Sequence, residues 1–391
     1  MTEILGVVAE YNPLHAGHLY QLHRAKKETG CNIAIIALSG NFVQRGEPAL
    51  VPKRVRTAMA LAAGADLVIE IPTALVLQSA QGFAQAGVEI LSAAGTTTLS
   101  FGSESGSLEK LQQVARLLDQ DPVQSRIAPL MKGGLTYARA LQLALGSHCP
   151  EPDLVSKANN ILGVEYLRAI KRLGKPLACH TVERIGPGHG NLSLAGFASA
   201  TAIRRAVQIG SFDIHAMALP PRVTAPLAKA LNQVRPVFLE SLATQILLEM
   251  RRGDRDLGLI QGMGEGLEFR FQAAAAESVT LEDLIASVKT KRYPRTRIQR
   301  IICSALLGIS PKIIGPVPYL RVLGFSPQGR VHLGKVAKGP VPLLVKAQDA
   351  RELQGRAKEM LQVDLLAAAI HSVAGGYIYS SDLRFAPVTD H

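Results

Sequence analysis

Two histidines beside a glycine, close to the start of the chain, are the residues best suited to chemistry. The sequence at residues 10–18 is EYNPLHAGH, so His15 and His18 are three positions apart and follow a short apolar run. Residues at this spacing lie on one side of a helical turn, and the free N–H groups at a helix start favour phosphate. Neutral imidazoles add hydrogen-bond donors without a permanent charge. This segment predicts a phosphate-binding turn. The alternative is an ordinary strand-to-helix turn with incidental histidines.

Two further polar segments follow apolar runs. Residues 39–49 read SGNFVQRGEPA, in which Arg45 can neutralise a phosphate or a carboxylate and Gln44 can hold a small polar group. Residues 101–104 read FGSE, in which Gly102 allows a ligand to lie against the backbone. An ordinary surface loop and an ordinary turn glycine are the alternatives for these two segments.

Two later segments add candidate polar groups. Residues 157–163 contain adjacent asparagines at the start of an apolar helix, where they could simply cap it. In residues 198–205 either Ser199 or Thr201 is expected to cap a helix, and Arg204 falls in its first turn. A cation at that position opposes the helix dipole, which predicts that an anion is held nearby.

The elements that must position these residues are alternating strands and helices. Continuous apolar strands separated by helices predict a parallel sheet covered on both faces, whose ligands bind beyond the carboxyl ends of the strands. The polar segments above fall at those ends. The predicted strands are residues 4–9, 32–38, 66–71, 97–101, 177–185 and 319–324.

The later part of the chain is expected to be mainly helical. Residues 105–172 and 222–310 show helical patterns, and residues 186–196 form a glycine-rich loop. The predicted fold class is α/β, with a Rossmann-like core followed by a mainly helical region and a small C-terminal module. The predicted domains are a nucleotide-binding domain at 1–215, a helical basic region at 216–315 and an α/β module at 316–391.

The net charge of +12 is unevenly distributed along the chain. Residues 1–100 hold seven basic and seven acidic side chains, so the excess lies later. Residues 289–300 carry six cations and no acid, which predicts contact with nucleic-acid phosphates, and a tyrosine among them could stack on a base. A solvated helix end is the alternative. The candidate nucleic-acid residues are Lys289, Lys291, Arg292, Tyr293, Arg295 and Arg297.

Composition excludes several classes of protein and site. No apolar run is long enough for a membrane span, and the N-terminus lacks the basic start of a secretory signal. The four cysteines are far apart and form no C-x-x-C pair, so neither a zinc site nor a disulfide framework is expected. These features predict a protein of the reducing cytoplasm. They leave its oligomeric state open.

The histidine segment contains an H-x-G-H motif and resembles the nucleotidyltransferase superfamily of adenylyl-transferring enzymes. Further segments in chain order, SGNFVQRGEPA, DLVIEIP, FGSE, ANNILGVEY and SATAIR, extend the likeness. As a set they closely resemble the bacterial tRNA(Met) cytidine acetate ligase family over nearly the whole chain. The family's usual Phe and Asn are replaced by Leu14 and Ala16, neither of which supplies essential chemistry.

This resemblance implies a two-step reaction. The family joins ATP and acetate into acetyl-adenylate, releases pyrophosphate, and passes the acetyl group to N4 of the wobble cytidine of elongator tRNA(Met). ATP is expected to bring Mg²⁺, and His15 and His18 are expected to be catalytic. By resemblance the ATP site comprises Val7, Val8, Ala9, Glu10, Tyr11, Asn12, Pro13, Leu14, His15, Ala16, Gly17, His18, Leu19, Tyr20, Gly102, Asn159 and Arg184.

Two rival functions remain at this stage. The first is a small-molecule adenylyltransferase with the same H-x-G-H site, for which the basic region would be superfluous. The second is a non-catalytic RNA-binding protein, which the histidine pair disfavours.

Overall fold

The computed structural model describes residues 3–184, 198–252, 256–378, 382, 384 and 386–389. The predicted glycine-rich loop at 186–196 lies outside the described residues. The strands are β1 Ile4–Ala9, β2 Ile33–Ser39, β3 Phe42–Val43, β4 Glu47–Pro48, β5 Leu67–Ile71, β6 Thr98–Ser103, β7 Ala178–Glu183, β8 Leu320–Phe325, β9 Leu343–Leu344 and β10 Val388–Thr389.

Helices connect these strands and form most of the region between β7 and β8. They are α1 Ala16–Thr29, α2 Lys53–Ala62, α3 Thr73–Val76, α4 Ala80–Ala93, α5 Leu108–Leu118, α6 Asp121–Lys132, α7 Tyr137–Leu145, α8 Ala158–Leu173, α9 Ala200–Gln208, α10 Pro221–Gln233, α11 Ala243–Arg251, α12 Leu267–Glu277, α13 Leu281–Val288, α14 Arg295–Leu306, α15 Pro327–Val336 and α16 Gly355–Gly375.

The central sheet has the order β10-β8-β5-β2-β1-β6-β7, with β9 paired to β8. Strands β5, β2, β1, β6 and β7 run parallel, as the apolar runs predict, because both faces of the sheet are covered. Strand β1 lies in the middle, between β2 and β6. The loop that follows β1 is therefore at the centre of the carboxyl edge, where a ligand meets neighbouring loops on both sides.

The C-terminal part of the chain completes this sheet. Strand β8 pairs antiparallel with β5, and β10 pairs parallel with β8. A buried ion cluster supports the contact: Lys53 Nζ lies 2.6 Å from Glu70 Oε1, and Arg321 Nη1 lies 3.2 Å from Glu70 Oε2. The α/β fold class is confirmed. The three-domain division stays a prediction, but the strands of the region at 316–391 belong to the core sheet.

Two buried apolar clusters hold the fold together. One extends from the sheet into α11–α14 and α16, and the other packs α1, α2, α9 and α10 against the sheet. Helical residues from 243 to 306 therefore share a continuous core with the strands of the central sheet. Within the described residues, no helix is both long and apolar enough to cross a membrane.

Candidate active site

A cleft of about 1520 Å³ opens at the carboxyl ends of β1 and β6. This is the edge at which ligands of parallel α/β sheets bind. Its lining combines the turn after β1, the loop after β2, the end of β6 and the start of α8 with residues of α9, α13 and α14. We call residues 10–18 the histidine turn and residues 289–300 the arginine segment. Both contribute to this cleft.

The histidine turn fixes the tautomers of its two imidazoles. His15 Nδ1 accepts the Gly17 N–H at 3.1 Å, and His18 Nδ1 accepts the His15 N–H at 3.3 Å. A ring nitrogen that accepts a hydrogen bond carries no proton in the neutral form, so the Nε2 atom of each ring bears the hydrogen. The two rings stack with centroids 3.7 Å apart. The turn thus holds two adjacent Nε2–H donors, as a site for phosphate oxygens requires.

Backbone geometry explains two residue choices in this turn. A side chain at Gly17 would place its Cβ 3.0 Å from the His15 ring, so glycine leaves room for the imidazole that caps α1. Tyr11 has a φ of 44°, which is strained for a residue with a side chain. Its ring is buried and packs against His18 at 4.9 Å. This packing holds the second imidazole in place.

Asn12 links the turn to α9. Its Oδ1 accepts the Leu50 N–H at 2.7 Å and Arg204 Nη1 at 3.2 Å, which leaves the amide Nδ2 as a donor. Arg204 Nη2 also lies 3.2 Å from Glu47 Oε2. In this structure the anion beside Arg204 is the Glu47 carboxylate, and binding of a ligand anion there stays a prediction. Ser199 Oγ accepts the Ala202 N–H at 3.1 Å, so Ser199 is confirmed as the cap of α9.

The end of β6 brings three sequence-predicted residues together. Arg184 Nη1 donates to Asn159 Oδ1 at 3.4 Å, and the Arg184 side chain passes next to Gly102. The adjacent asparagines do not cap α8 by themselves. Instead, the Glu104 carboxylate accepts backbone N–H groups at Asn159 and Asn160 at 3.3 and 2.8 Å. Burial lowers the pKa of Arg184, and Glu104 opposes this shift.

The predicted ATP residues divide into two groups. Those that line the cleft are Val7, Val8, Ala9, Glu10, Tyr11, Asn12, His15, His18, Gly102, Asn159 and Arg184. The remaining six, Pro13, Leu14, Ala16, Gly17, Leu19 and Tyr20, do not line it. Leu14 is buried in the second apolar cluster, so its exchange for the family's usual Phe affects core packing.

Residues 39–49 form a hairpin loop around β3 and β4, and it packs against the arginine segment. A Cβ at Gly46 would lie 2.3 Å from the Arg300 backbone nitrogen, and Gly46 has a φ of 77°. Cys303 Sγ contacts the Gly46 carbonyl oxygen at 3.3 Å. The close approach of two backbones therefore requires glycine here. This contact joins the loop beside the histidine turn directly to α14.

The arginine segment contributes Arg292, Arg295, Arg297 and Arg300 to the cleft, whereas Lys289 and Lys291 are exposed outside it. Arg292 pairs with Glu265 and Arg295 with Glu282, each at 2.6 Å. Among the described residues, Arg300 has no ion pair, and burial lowers its pKa to about 10. The candidate residues named from the sequence omit Arg300, because nothing local distinguishes it from its neighbours.

Tyr293 is buried, so the predicted stacking on a base has no open ring face in this structure. The Arg292 and Arg297 guanidinium groups lie 5.5 and 4.9 Å from its ring centroid, and its hydroxyl donates to Glu265 at 3.2 Å. Tyr293 supports the two arginines. Its contact with RNA stays a prediction that requires these arginines to move.

Other contacts that shape the cleft join residues far apart in sequence. Arg56 Nη1 donates to the Glu10 carbonyl oxygen at 2.6 Å and to Ser39 Oγ at 3.3 Å, so it ties the ends of β1 and β2 together. Gln261 Nε2 donates to Gln78 Oε1 at 2.9 Å. No local sequence pattern predicts these pairings.

Comparison with known proteins supplies the family. Residues 2–383 match the HIGH Nucleotidyl Transferase family. The tRNA(Met) cytidine acetate ligase of Thermoanaerobacter sp. (strain X514) is 37% identical over 95% of both chains. The enzyme of the same name from Acetivibrio thermocellus is 35% identical over 94% of both. This chain belongs to the tRNA(Met) cytidine acetate ligase family.

Solved structures of the ligase family agree with this placement. The apo crystal structure of Thermotoga maritima TmcAL matches with a TM-score of 0.91 and 31% identity, and covers 99% of both chains. A second structure of that protein, bound with alpha-thio ATP, matches with a TM-score of 0.89. The identification of the ligase family from the motifs is confirmed.

Proposed function

We propose that this protein is an ATP-dependent ligase that forms N4-acetylcytidine at the wobble position of elongator tRNA(Met). It activates acetate as acetyl-adenylate and then acetylates the cytidine. The names of its relatives and the nucleotide-bound neighbour support this function. We place the protein in the cytoplasm, where ATP and tRNA are available. No oligomeric state is proposed.

One observation carries the proposal: the histidine turn and the arginine segment line the same cleft. A small-molecule adenylyltransferase needs the histidine turn but has no use for an arginine-rich wall. A protein that only binds RNA needs the arginines but not two imidazoles with fixed tautomers. A ligase that activates a carboxylate and passes it to RNA needs both in one cavity.

In the first step, an acetate oxygen attacks the α-phosphorus of ATP and pyrophosphate leaves. The Nε2–H groups of His15 and His18 donate to phosphate oxygens as negative charge shifts onto them, so stabilisation comes from donors that are already in position. The Nδ2 group of Asn12 and the guanidinium of Arg184 add donors from the cleft wall. Because Arg204 pairs with Glu47 in this structure, we expect a phosphate of ATP to replace Glu47 as its partner.

In the second step, the exocyclic amine of the cytidine attacks the acetyl carbonyl carbon and AMP leaves. The cytidine must first be unstacked from its loop to enter the cleft. Of the four arginines that the arginine segment contributes to the cleft, Arg300 alone forms no ion pair with a described residue, so within this segment it is the one best placed to bind an RNA phosphate.

We expect Mg²⁺ to enter with ATP. Among the described residues, no group of three or more histidine, cysteine, aspartate or glutamate side chains could hold a metal ion. The residues present therefore do not form a metal cage, and phosphate oxygens and water would be the ligands. No step of the proposed reaction is assigned to the ion.

The proposal is tested with purified protein, ATP, labelled acetate and separate purified tRNAs. We expect pyrophosphate release that depends on acetate and label on elongator tRNA(Met). Pyrophosphate release that ignores acetate and requires another acceptor would support the small-molecule adenylyltransferase. Tight tRNA binding without ATP turnover would support the non-catalytic protein.

A further inference from the structure

Five glutamates line the cleft, and most of them are neutralised by arginine. Glu47 pairs with Arg204, Glu265 with Arg292 and Glu282 with Arg295. In the part of the chain that the structure describes, the other two, Glu10 and Glu240, form no ion pair. Glu240 is exposed, whereas Glu10 directly follows β1 and begins the histidine turn.

The Glu10 carboxylate is held through one oxygen. Its Oε1 accepts the Gln44 backbone N–H at 2.6 Å, and no hydrogen bond to Oε2 occurs among the described residues. Because the hairpin loop fixes the Gln44 N–H donor, this hydrogen bond restricts rotation of the Glu10 carboxylate. It can therefore offer Oε2 to a ligand in the cleft while Oε1 stays bound.

Charged and titratable groups of three elements surround Glu10. Arg45 and Glu47 lie near it on the hairpin loop, Arg56 on α2 and Tyr166 on α8. Burial raises the pKa of Glu10 above its usual value, and the Gln44 hydrogen bond opposes this shift. A carboxylate with a raised pKa is a stronger base than an exposed one.

The histidines cannot supply this base while they bind phosphate. In both rings Nδ1 already accepts a backbone N–H, so the neutral rings present only Nε2–H donors. The attack of an amine on a carbonyl carbon releases a proton that some group must accept. The structure places a carboxylate, Glu10, five residues before the first of these donors.

We propose that Glu10 is the general base of acetyl transfer and the residue that selects cytosine. This inference rests on the proposed function. The N4 lone pair attacks the acetyl carbonyl carbon, the N–C bond forms, and the C–O bond to AMP breaks with its electron pair on the AMP phosphate. One N4 proton passes to Glu10 and then to solvent. A carboxylate accepts the amino hydrogens of cytosine but repels the O4 oxygen of uracil.

The test separates the two steps in full-length protein. Acetate-dependent exchange of labelled pyrophosphate into ATP measures the first step, and single-turnover transfer from preformed acetyl-adenylate to tRNA measures the second. Glu10→Gln keeps the size and removes the base. Glu109→Gln is the matched control, because it makes the same exchange at an exposed glutamate of α5 that does not line the cleft.

We expect Glu10→Gln to slow transfer by about 10²-fold or more beyond any change in exchange, since a general base usually contributes that much. Wild-type transfer should rise with pH as Glu10 loses its proton, and the variant should lack that rise. Glu109→Gln should match the wild type in both steps. If Glu10→Gln folds poorly, Glu10→Asp keeps a carboxylate and should keep the pH-dependent rise.

Binding provides an independent readout. Wild type should prefer the tRNA with cytidine at the target position over one with uridine, and Glu10→Gln should reduce that preference. The inference is overturned if Glu10→Gln transfers the acetyl group at the wild-type rate, or if it loses exchange and transfer to the same extent. If the wild type itself shows no acetate-dependent exchange of pyrophosphate into ATP, the proposed function is overturned instead.

Discussion

The histidine turn and the arginine segment both place hydrogen-bond donors in the cleft, but the donors are of different kinds. In the turn, neutral imidazoles are fixed by hydrogen bonds to backbone groups two or three residues away. In the segment, permanent cations are held by glutamates 13 to 27 residues away, Arg295 by Glu282 and Arg292 by Glu265. Fixed neutral donors suit a charge that changes during reaction, whereas cations suit a polyanion that only has to bind.

The strongest test of this difference is His18→Ala. Loss of one fixed donor should slow acetate-dependent pyrophosphate exchange by about 10²–10³-fold, because that donor acts on charge formed in the transition state. Affinity for tRNA should stay close to that of the wild type. His148→Ala, which changes an exposed histidine, is the control. Parallel loss of exchange and of tRNA affinity would refute the division between the two regions.

The joint between the two regions is tested by Gly46→Ala. The new Cβ would collide with the Arg300 backbone at 2.3 Å, so α14 must shift, and we expect a loss of about 1–3 kcal/mol in the free energy of unfolding. Transfer to tRNA should fall more than pyrophosphate exchange. Gly30→Ala has a similar positive φ of 69° but nothing within 4 Å, so it controls for strain alone. Equal effects of the two variants would mean that the collision is unimportant.

The sequence predicted the histidine turn well because its geometry is local. The H-x-G-H spacing contains the cap, the donors and the glycine that leaves room for the His15 ring. The parallel strands were equally readable, since each is a continuous apolar run. The approach of Gly46 to Arg300 and the antiparallel pairing of β5 with β8 could not be predicted, because each joins segments about 250 residues apart with no matching local pattern.

Within the arginine segment, paired and unpaired cations should differ. Arg300→Gln should reduce the slope of log affinity for tRNA against log salt by about 0.7, the value for one contact with a single-stranded phosphate. Arg295→Gln should change the slope less, because Glu282 already neutralises that cation. Filter binding over a series of salt concentrations measures both, with Lys335→Gln on the exposed face of α15 as a control. A larger change for Arg295 would reverse our assignment.

The smallest effect is expected for Ser199→Ala. Removal of this cap should cost α9 about 1 kcal/mol and loosen Arg204, so the KM for ATP should rise. Ser107→Ala removes the corresponding cap of α5 and serves as the matched control. Chemical denaturation should show similar losses for both variants. A KM increase confined to Ser199→Ala supports the link from α9 to Asn12, and equal KM values would contradict it.

The pairing of β8 with β5 also has a consequence during synthesis of the chain. Until residues 320–325 leave the ribosome, the hydrophobic strand β5 is an open sheet edge and Glu70 lacks its Arg321 partner. Unpaired strand edges promote aggregation, so a nascent chain is vulnerable for most of its translation. In a time course of synthesis, resistance of β5 to protease should therefore appear only near the end. Strand β5 is thus synthesised early but becomes resistant to protease late.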